Sequence, residues 1–391
     1  FSGIAIDGQK IIITFDKIAP DALLTFTQFA PVPKSEFEGI DPLQVQQAPF
    51  FQHPIGCGPF MVEEVNMKNY TILAPFDKYY NGVADFKIQL LPSAGDSDPN
   101  VVTRAKSGNL DYGYTKMVAD VQALEGTPGI TVTPIDVRYT RLFYLNKFDK
   151  KDGSPAPLAD VRVRQALRYA IDMETICETL FQGSAVPANA LAPDANLKGG
   201  DLNDYNYNPE KAKELLAEAN WDPNTVIKAV YYYTDQATVD LMTAVQAYLA
   251  DVGIKMEFEL VEGDLATILW AAPADQTNGP RAVDWDICYA ANAALSLHEY
   301  YDRYRTGSPT NSHTPEDAEL NRLIDATNAS ADVNAQNEAF KELIKYENEN
   351  LFTMALYYQP IFLITSDKIG DIQKGTPQFC INWDIQNWNV Q

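Results

Sequence analysis

Hydrophobic positions recur along the chain with two periods, and the switches between them mark out its elements. Near the start, Ile4-Ala5-Ile6 and Ile11-Ile12-Ile13-Thr14-Phe15 flank Asp7-Gly8, a pair that tolerates positive φ, and together they predict a hairpin. A strand so close to residue 1 predicts a sheet with further strands upstream. Residues 17–53 are rich in Pro with weak periodicity and predict loops and short helices. His53-Pro54-Ile55-Gly56-Cys57-Gly58-Pro59 is a turn signal that feeds a strand at Phe60. Phe86, Ile88 and Leu90 alternate as a half-buried strand does, residues 99–111 predict a helix that closes at Gly108, and the aromatic run Tyr139–Asn146 predicts another strand. Lys147–Pro157 is polar and contains Gly and Pro, which predicts a crossing between domains.

The pattern turns helical at Asp160, where Val163, Leu167, Ala170 and Ile171 share a face. Asn208-Pro209-Glu210 opens another helix. Asn caps, Pro fits the first turn where its missing N–H has no partner, and Glu favours the positive end of the dipole. Ala212, Leu215, Leu216 and Ala219 form its buried stripe. Val226–Tyr233 predicts a strand, and Leu241, Val245, Tyr248, Leu249 and Val252 mark a helix that Gly253 stops. A second strand then places Ile254, Met256, Phe258 and Leu260 on one face, which completes a βαβ crossover with parallel strands. A further strand is predicted at Asp284–Ala290, helix starts at Thr314-Pro315-Glu316-Asp317 and at Asp332, and strands at Phe352–Tyr358 and Ile361–Thr365. The fold class is α/β, with at least two lobes and a hinge near residues 147–157. Ligands of such folds sit in a cleft between lobes or at the carboxyl ends of strands.

Composition narrows the class. Of 391 residues, 46% are hydrophobic and 21% charged, too apolar for a disordered chain. The 30 Lys and Arg against 53 Asp and Glu leave a net charge of −23, which repels phosphate backbones and sets nucleic acid aside as a partner. The longest apolar runs, such as Ile361–Ile364, fall short of the ~20 residues a membrane helix needs. The chain opens on Phe1 with no basic-then-apolar leader, which predicts a processed product or a fragment. Cys57, Cys177, Cys288 and Cys380 contain no CxxC pair, which argues against a zinc ribbon, a redox dithiol or a dense disulfide scaffold. Free thiols are the expectation, with a bridge between distant pairs left open.

Catalytic and metal patterns are incomplete. His298-Glu299-Tyr300-Tyr301-Asp302 begins like a zinc-protease helix but has Asp302 where the second imidazole belongs. Asp96-Ser97-Asp98-Pro99-Asn100 begins like a calcium loop, but Val101 stands where Gly makes the sharp turn, and Ser107 where Glu would ligate. Gly56-Cys57-Gly58 is no dinucleotide fingerprint, because Met61 takes the third glycine position and a strand follows. Three histidines leave little for a metal site or a Ser-His-Asp triad, and no Gly-x-Ser-x-Gly elbow or phosphate loop occurs. No catalytic residue, metal or cofactor is therefore expected. The unusual feature is 21 Tyr, 18 Phe and 5 Trp, side chains that suit a cleft gripping a flexible organic ligand.

Taken in order, several segments resemble the solute-binding proteins of ABC importers, in the large family 5 of peptide, oligopeptide and nickel binders. Pro54-Ile55-Gly56-Cys57-Gly58-Pro59-Phe60 resembles the family's Pro-Val-Gly-Thr-Gly-Pro-Tyr turn, with Cys for Thr. Ser107-Gly108-Asn109-Leu110-Asp111 resembles its Gly-Glu-Ile-Asp. The most specific segment is Leu158-Ala159-Asp160-Val161-Arg162-Val163-Arg164-Gln165-Ala166-Leu167-Arg168-Tyr169-Ala170-Ile171-Asp172. The loop Gly183–Pro193 and the stretch Tyr207-Asn208-Pro209-Glu210-Lys211-Ala212-Lys213-Glu214-Leu215-Leu216 also fit. The matches run over residues 50 to 365 in the family's order.

The resemblance implies a two-lobed periplasmic-binding-protein-like fold (type II, cluster C) with part of the N-terminal framework and small extra domain missing. Residues 1–50 would be the remnant of the extra domain, 51–148 with 368–391 the framework lobe, and 149–367 the second α/β lobe. It implies a monomer without turnover that closes on a peptide or other small solute and delivers it to a membrane permease. It would sit outside the cytoplasm, tethered by a lipidated cysteine upstream of Phe1. Ligand contacts are expected from Tyr139, Arg141 and Phe143, with Arg141 set to pair with a ligand carboxylate, and from Tyr289, Ala291 and Asn292. Asn292 stands where peptide binders of the family carry Trp, and Ala293-Ala294-Leu295-Ser296 replaces the acidic stretch that holds a peptide's α-ammonium. The ligand is then a differently held peptide, a sugar or another solute, and a nickel or haem role finds no histidine support. Two other readings stay open: an extracellular hydrolase with a carboxylate pair, and a ligand-sensing ectodomain of the same fold.

Overall fold

In the computed structural model, which describes residues 2–27, 29–66, 68–93, 98–370 and 382–391, the chain forms two compact units. One comprises Phe1–Leu24 and Arg138–Gln359, the other Thr25–Val137 and Pro360–Gln391. The larger unit is built on a six-stranded sheet in the order Lys255–Leu260, Val226–Tyr231, Ile287–Ala293, Tyr139–Leu145, Thr353–Tyr358, Val186–Pro187. The first three strands are parallel, and the pairs from Ile287–Ala293 onward are antiparallel. The βαβ unit is present, with Val226 level with Lys255 and the helix Gln236–Asp251 between them. Gly253 closes that helix at φ +87°, a conformation that a side chain would strain.

Tyr139–Leu145 is buried along its whole length. Leu142 and Tyr144 enter one apolar core, and Phe143 and Leu145 enter the other. Helices Val161–Ala170, Met173–Thr179, Pro209–Glu218 and Gln236–Asp251 carry the buried residues of the second core. Leu265–Trp270, Leu297–Asp302, Ala318–Thr327 and Val333–Asn350 carry those of the first. A strand covered on both faces has no wet side, which is why apolar and aromatic residues take both faces of this one, with Thr140 and Arg141 as the exceptions.

Caps set the helix starts. Asp160 accepts from the Arg162 N–H at 2.8 Å and Asn208 from the Lys211 N–H at 2.9 Å. Asp332 accepts from the Ala335 N–H at 2.9 Å, and this helix ends at Leu351 with φ 43°. Thr314-Pro315-Glu316 is not helical. Asp317 is the cap, because its carboxylate accepts from the N–H groups of both Glu319 and Leu320, and the helix is Ala318–Thr327. The expected helix over 99–111 is confined to Val101–Lys106, and the strand near Phe86 to Ile88–Leu90. In the hairpin, Asp7 pairs with Lys10, so the turn is Gly8-Gln9, with Gly8 at φ +60°. The hairpin is a two-stranded sheet of its own, with Ile4, Ile6 and Ile11 exposed.

The division of the chain differs from the one expected. Lys147–Pro157 lies inside the larger unit: the Lys147 N–H donates to the His313 carbonyl, its Nζ to the carbonyls of Leu145 and Phe352, and the Arg281 N–H to the Asp149 carbonyl. The chain instead changes unit at Val137/Arg138 and at Gln359/Pro360. Both changes fall between strands: Ile130–Ile135 and Ile361–Ser366 pair with each other, and Tyr139–Leu145 and Thr353–Tyr358 pair in the larger sheet. Residues 1–24 group with the larger unit, and residues 371–381 lie outside the described residues.

The smaller unit holds two three-stranded antiparallel sheets. In one, Ile361–Ser366 lies between Tyr112–Thr115 and Ile130–Ile135 and packs Ile364 on Val101, Ala105 and Leu124. In the other, Tyr70–Pro75 lies between Phe60–Asn66 and Ile88–Leu90.

Two buried carboxylates test this packing. Asp286, fully buried, accepts from Arg281 Nη1 at 2.6 Å and from the Lys228 N–H at 2.9 Å. Asp286→Ala leaves the buried Arg281 with only the exposed Asp284 at 3.4 Å and the Trp285 carbonyl at 3.0 Å, and strips the Lys228 N–H of its acceptor, so urea denaturation is expected to show a loss of about 3 kcal/mol. A loss below about 1 kcal/mol would mean that water reaches the pair. Glu347 accepts from the Leu191 N–H and the Tyr301 hydroxyl, and burial pushes its pKa up to about 8. The unfolded glutamate titrates near about 4.3, so the folded chain holds this proton more tightly. Its contribution to stability is complete below that value and falls as the pH rises through about 8. Melting temperature against pH should therefore fall more steeply for the wild type than for Glu347→Gln, and parallel profiles would refute the assignment.

Candidate functional site

The central strand carries one charged residue, Arg141. It is 9% exposed, opposite Ala291 on one neighbouring strand and Tyr357 on the other. Rings surround it. Its guanidinium carbon lies 4.2 Å from the ring centroid of Tyr233, 5.1 Å from that of Tyr139 and 5.7 Å from that of Tyr289. The Tyr289 and Tyr357 hydroxyls share a hydrogen bond at 2.7 Å, those of Tyr232 and Tyr233 one at 3.0 Å, and Phe143 meets Tyr289 edge-on at 5.9 Å.

Cation–π contacts of desolvated groups are worth about 2 kcal/mol each, and removing a guanidinium from water costs several kcal/mol. The rings hold the charge but leave its donors unused: Nε and Nη1 have no hydrogen-bond partner among the described residues. Burial opposes the Arg141 charge, and what offsets it is the electron-rich faces of the neighbouring rings. Burial also raises the hydroxyl pKa values of Tyr233, Tyr289 and Tyr357, so these groups stay neutral and no phenolate offsets the cation. A planar anion such as a carboxylate would supply both the missing charge and two acceptors.

Five of the six expected ligand residues lie together. Tyr139, Arg141 and Phe143 alternate on one face, with Ala291 and Tyr289 level with Arg141 and Phe143 on the adjacent strand. The sixth, Asn292, is level with Thr140 and lies on the other face, where its Nδ2 donates to the Tyr300 carbonyl at 3.5 Å and its own carbonyl accepts from the Tyr300 hydroxyl at 3.2 Å. The period of two that puts Arg141 in the cage takes Asn292 out of it. Sequence reasoning missed Tyr233 and Tyr357. Tyr233 closes the run Tyr231-Tyr232-Tyr233 at the carboxyl end of a parallel strand, a position where α/β sheets place ligands, so a signal for it existed.

The patterns that resembled metal or catalytic sites are structural where they are described. His298 packs its ring 5.0 Å from Phe340, with Thr327 and Gln336 beside its nitrogens. Asp98 accepts from Asn100, ahead of the helix Val101–Lys106, and Asp96 and Ser97 lie outside the described residues. Among the described residues no cluster of three or more His, Cys, Asp and Glu is placed to hold a metal ion, and no helix is long and apolar enough to cross a membrane. Cys57, Cys177 and Cys288 are free thiols, exposed in the first case and buried in the others, and burial pushes Cys177 up to about 12. Cys380 lies outside the described residues.

Comparison with known proteins gives the family. The profile of the bacterial extracellular solute-binding proteins, family 5 Middle, matches residues 1–314, and the chain belongs to that family. It is 28% identical over 256 residues to a Brucella ovis protein named as an ABC transporter peptide-binding protein, covering 64% of this chain and 47% of the relative. It is 26% identical over 272 residues to the oligopeptide-binding protein AppA of Bacillus subtilis, covering 64% and 46%. The chain thus spans about half the length of the curated relatives it matches. Among solved structures, the ABC transporter substrate-binding protein CtaP of Listeria monocytogenes superposes with a TM-score of 0.82 at 18% identity, over 99% of this chain and 78% of CtaP. Bacillus subtilis AppA in complex with a nonapeptide gives 0.78 at 18% identity, over 100% of this chain and 78% of AppA. These superpositions establish the two-lobed α/β binding-protein fold.

If Arg141 serves a ligand rather than the fold, removing its charge should not harm the empty protein. Arg141→Met is expected to leave the stability of the unliganded chain unchanged or to raise it by about 1–4 kcal/mol, read by urea denaturation. A loss of more than about 2 kcal/mol would make the cation structural.

Proposed function

We propose that the chain is the solute-binding component of an ABC importer, which captures a peptide or peptide-like solute outside the cytoplasm and passes it unaltered to a membrane permease. The observation that carries this reading is the buried, unpaired guanidinium of Arg141 inside its tyrosine cage. Tyr139, Phe143, Tyr233, Tyr289 and Tyr357 supply apolar area around it, and Ala291, opposite Arg141, adds only a methyl group. The solute's carboxylate pairs with Arg141, and its remainder lies against the rings. The names of the relatives favour peptides, and the net charge of −23 disfavours polyanions. The protein works as a monomer and is held at the membrane by a lipid anchor in a part of the protein outside this sequence.

Native mass spectrometry of the protein as purified, followed by calorimetry with the ligand it retains, tests the reading. Arg141→Ala is expected to weaken binding by at least about thirtyfold, the loss of a buried charge partner worth on the order of 2 kcal/mol or more. Amidation of a peptide's C-terminus should weaken binding comparably. An unchanged Kd removes Arg141 from the site, and a peptide mixture returned cleaved would replace the receptor with a hydrolase.

A further inference from the structure

A cavity of about 500 Å3 lies at the edge of the larger sheet beside Val186–Pro187. That volume is in the range of small-molecule sites, and every residue that lines it belongs to the larger unit. Its charges are layered. Arg168, 3% exposed, reaches it from the helix Val161–Ala170 and donates only to the backbone carbonyls of Ala188 at 3.1 Å and Tyr205 at 3.4 Å. Lys198, half-buried, donates to the Tyr358 hydroxyl at 2.6 Å and lies 4.1 Å from the centroid of that ring. Neither cation has a carboxylate within ion-pair distance among the described residues. The outer part of the lining carries Glu174 and Asp204, both exposed, and the half-buried Asp172, whose carboxylate caps the helix Met173–Thr179 by accepting from the Thr175 N–H.

Two deep cations without a carboxylate at ion-pair distance and three outer carboxylates make a site polarised along its depth. Burial pushes Lys198 down to about 8 and Arg168 down to about 10, which shows how little the surroundings offset these charges. Glu347 favours the Lys198 charge from beyond ion-pair distance, and its oxygens are taken up by the Leu191 N–H and the Tyr301 hydroxyl. A phosphate or other multivalent anion would be repelled by Glu174 and Asp204, and a simple amine by Lys198 and Arg168. A short zwitterion satisfies both layers.

We propose that this cavity is a second binding site, distinct from the Arg141 cage, for a free amino acid or dipeptide whose carboxylate is received by Lys198 and Arg168 and whose ammonium group faces Glu174 and Asp204. Tyr205 and Tyr358 flank the ligand between the two layers. The site does not depend on the transport reading, since none of its lining residues belongs to the cage.

Hydrogen exchange read by peptide mass spectrometry separates the two sites. Glycyl-leucine is expected to slow exchange over residues 186–207 in the wild type and equally in Arg141→Ala, and Lys198→Gln should abolish that protection. Glycyl-leucine amide and N-acetyl-glycyl-leucine, each lacking one charge, should protect the segment less. Asp204→Asn, at an exposed position, should weaken protection by glycyl-leucine and serves as the deciding variant if Lys198→Gln does not fold. The proposal is overturned if millimolar glycyl-leucine gives no protection over 186–207, if the amide protects as well as the free dipeptide, or if protection survives both substitutions.

Discussion

The burial of one strand on both faces is the constraint on which this fold rests. Tyr139–Leu145 pairs with Ile287–Ala293 on one side and Thr353–Tyr358 on the other, and each of its faces enters a separate apolar core. Such a strand leaves no exposed position for a polar side chain. Thr140 meets the requirement by donating to the Leu191 carbonyl at 2.8 Å. Arg141 does not, since only aromatic rings compensate it.

Elsewhere the fold treats buried charge conventionally, which sharpens the contrast. Arg164 is 6% exposed and donates to the carbonyls of Leu158, Ala159, Asn350 and Leu351, closing the end of the long helix Val333–Asn350. Arg281 has Asp286. Asn348 donates to the carbonyls of Asn189 and Asn203 and accepts from the Asn203 N–H, tying the loop beside the edge strand to the same helix. These groups have their partners within the chain and need nothing from outside. Arg141, Lys198 and Arg168 depart from that rule, and so does Arg303, which lies over the rings of Tyr144 and Trp270 with no hydrogen-bond partner for its Nε among the described residues.

Much of the architecture was legible in the chain. The βαβ unit could be read because a period of 3.6 between two strand-like runs, closed by Gly253, has few alternatives. The caps at Asp160, Asn208 and Asp332 could be read because an Asn or Asp side chain ahead of an amphipathic run answers a local need of the backbone. Shortfalls came where tertiary pairing decides: Pro315 looks like a first helical residue, yet Asp317 takes the cap, and Asp7-Gly8 looks like the turn, yet the pairing of Asp7 with Lys10 moves it on to Gly8-Gln9. The polar stretch Lys147–Pro157 reads as a linker, yet long-range hydrogen bonds to His313, Phe352 and Arg281 fasten it within one unit.

The site divides along the same line. By itself, the sequence determined that Tyr139, Arg141 and Phe143 share a face and that a strand ending in three tyrosines follows, because period-two geometry and βαβ order are local properties. Only the tertiary structure decided which distant strands flank Arg141, that Tyr233, Tyr289 and Tyr357 close around it, and that Asn292 falls on the opposite face. Strand order and register are settled by packing between segments far apart in the chain, so a one-residue choice of register, invisible in any single segment, separates a residue beside Arg141 from one on the opposite face of the sheet.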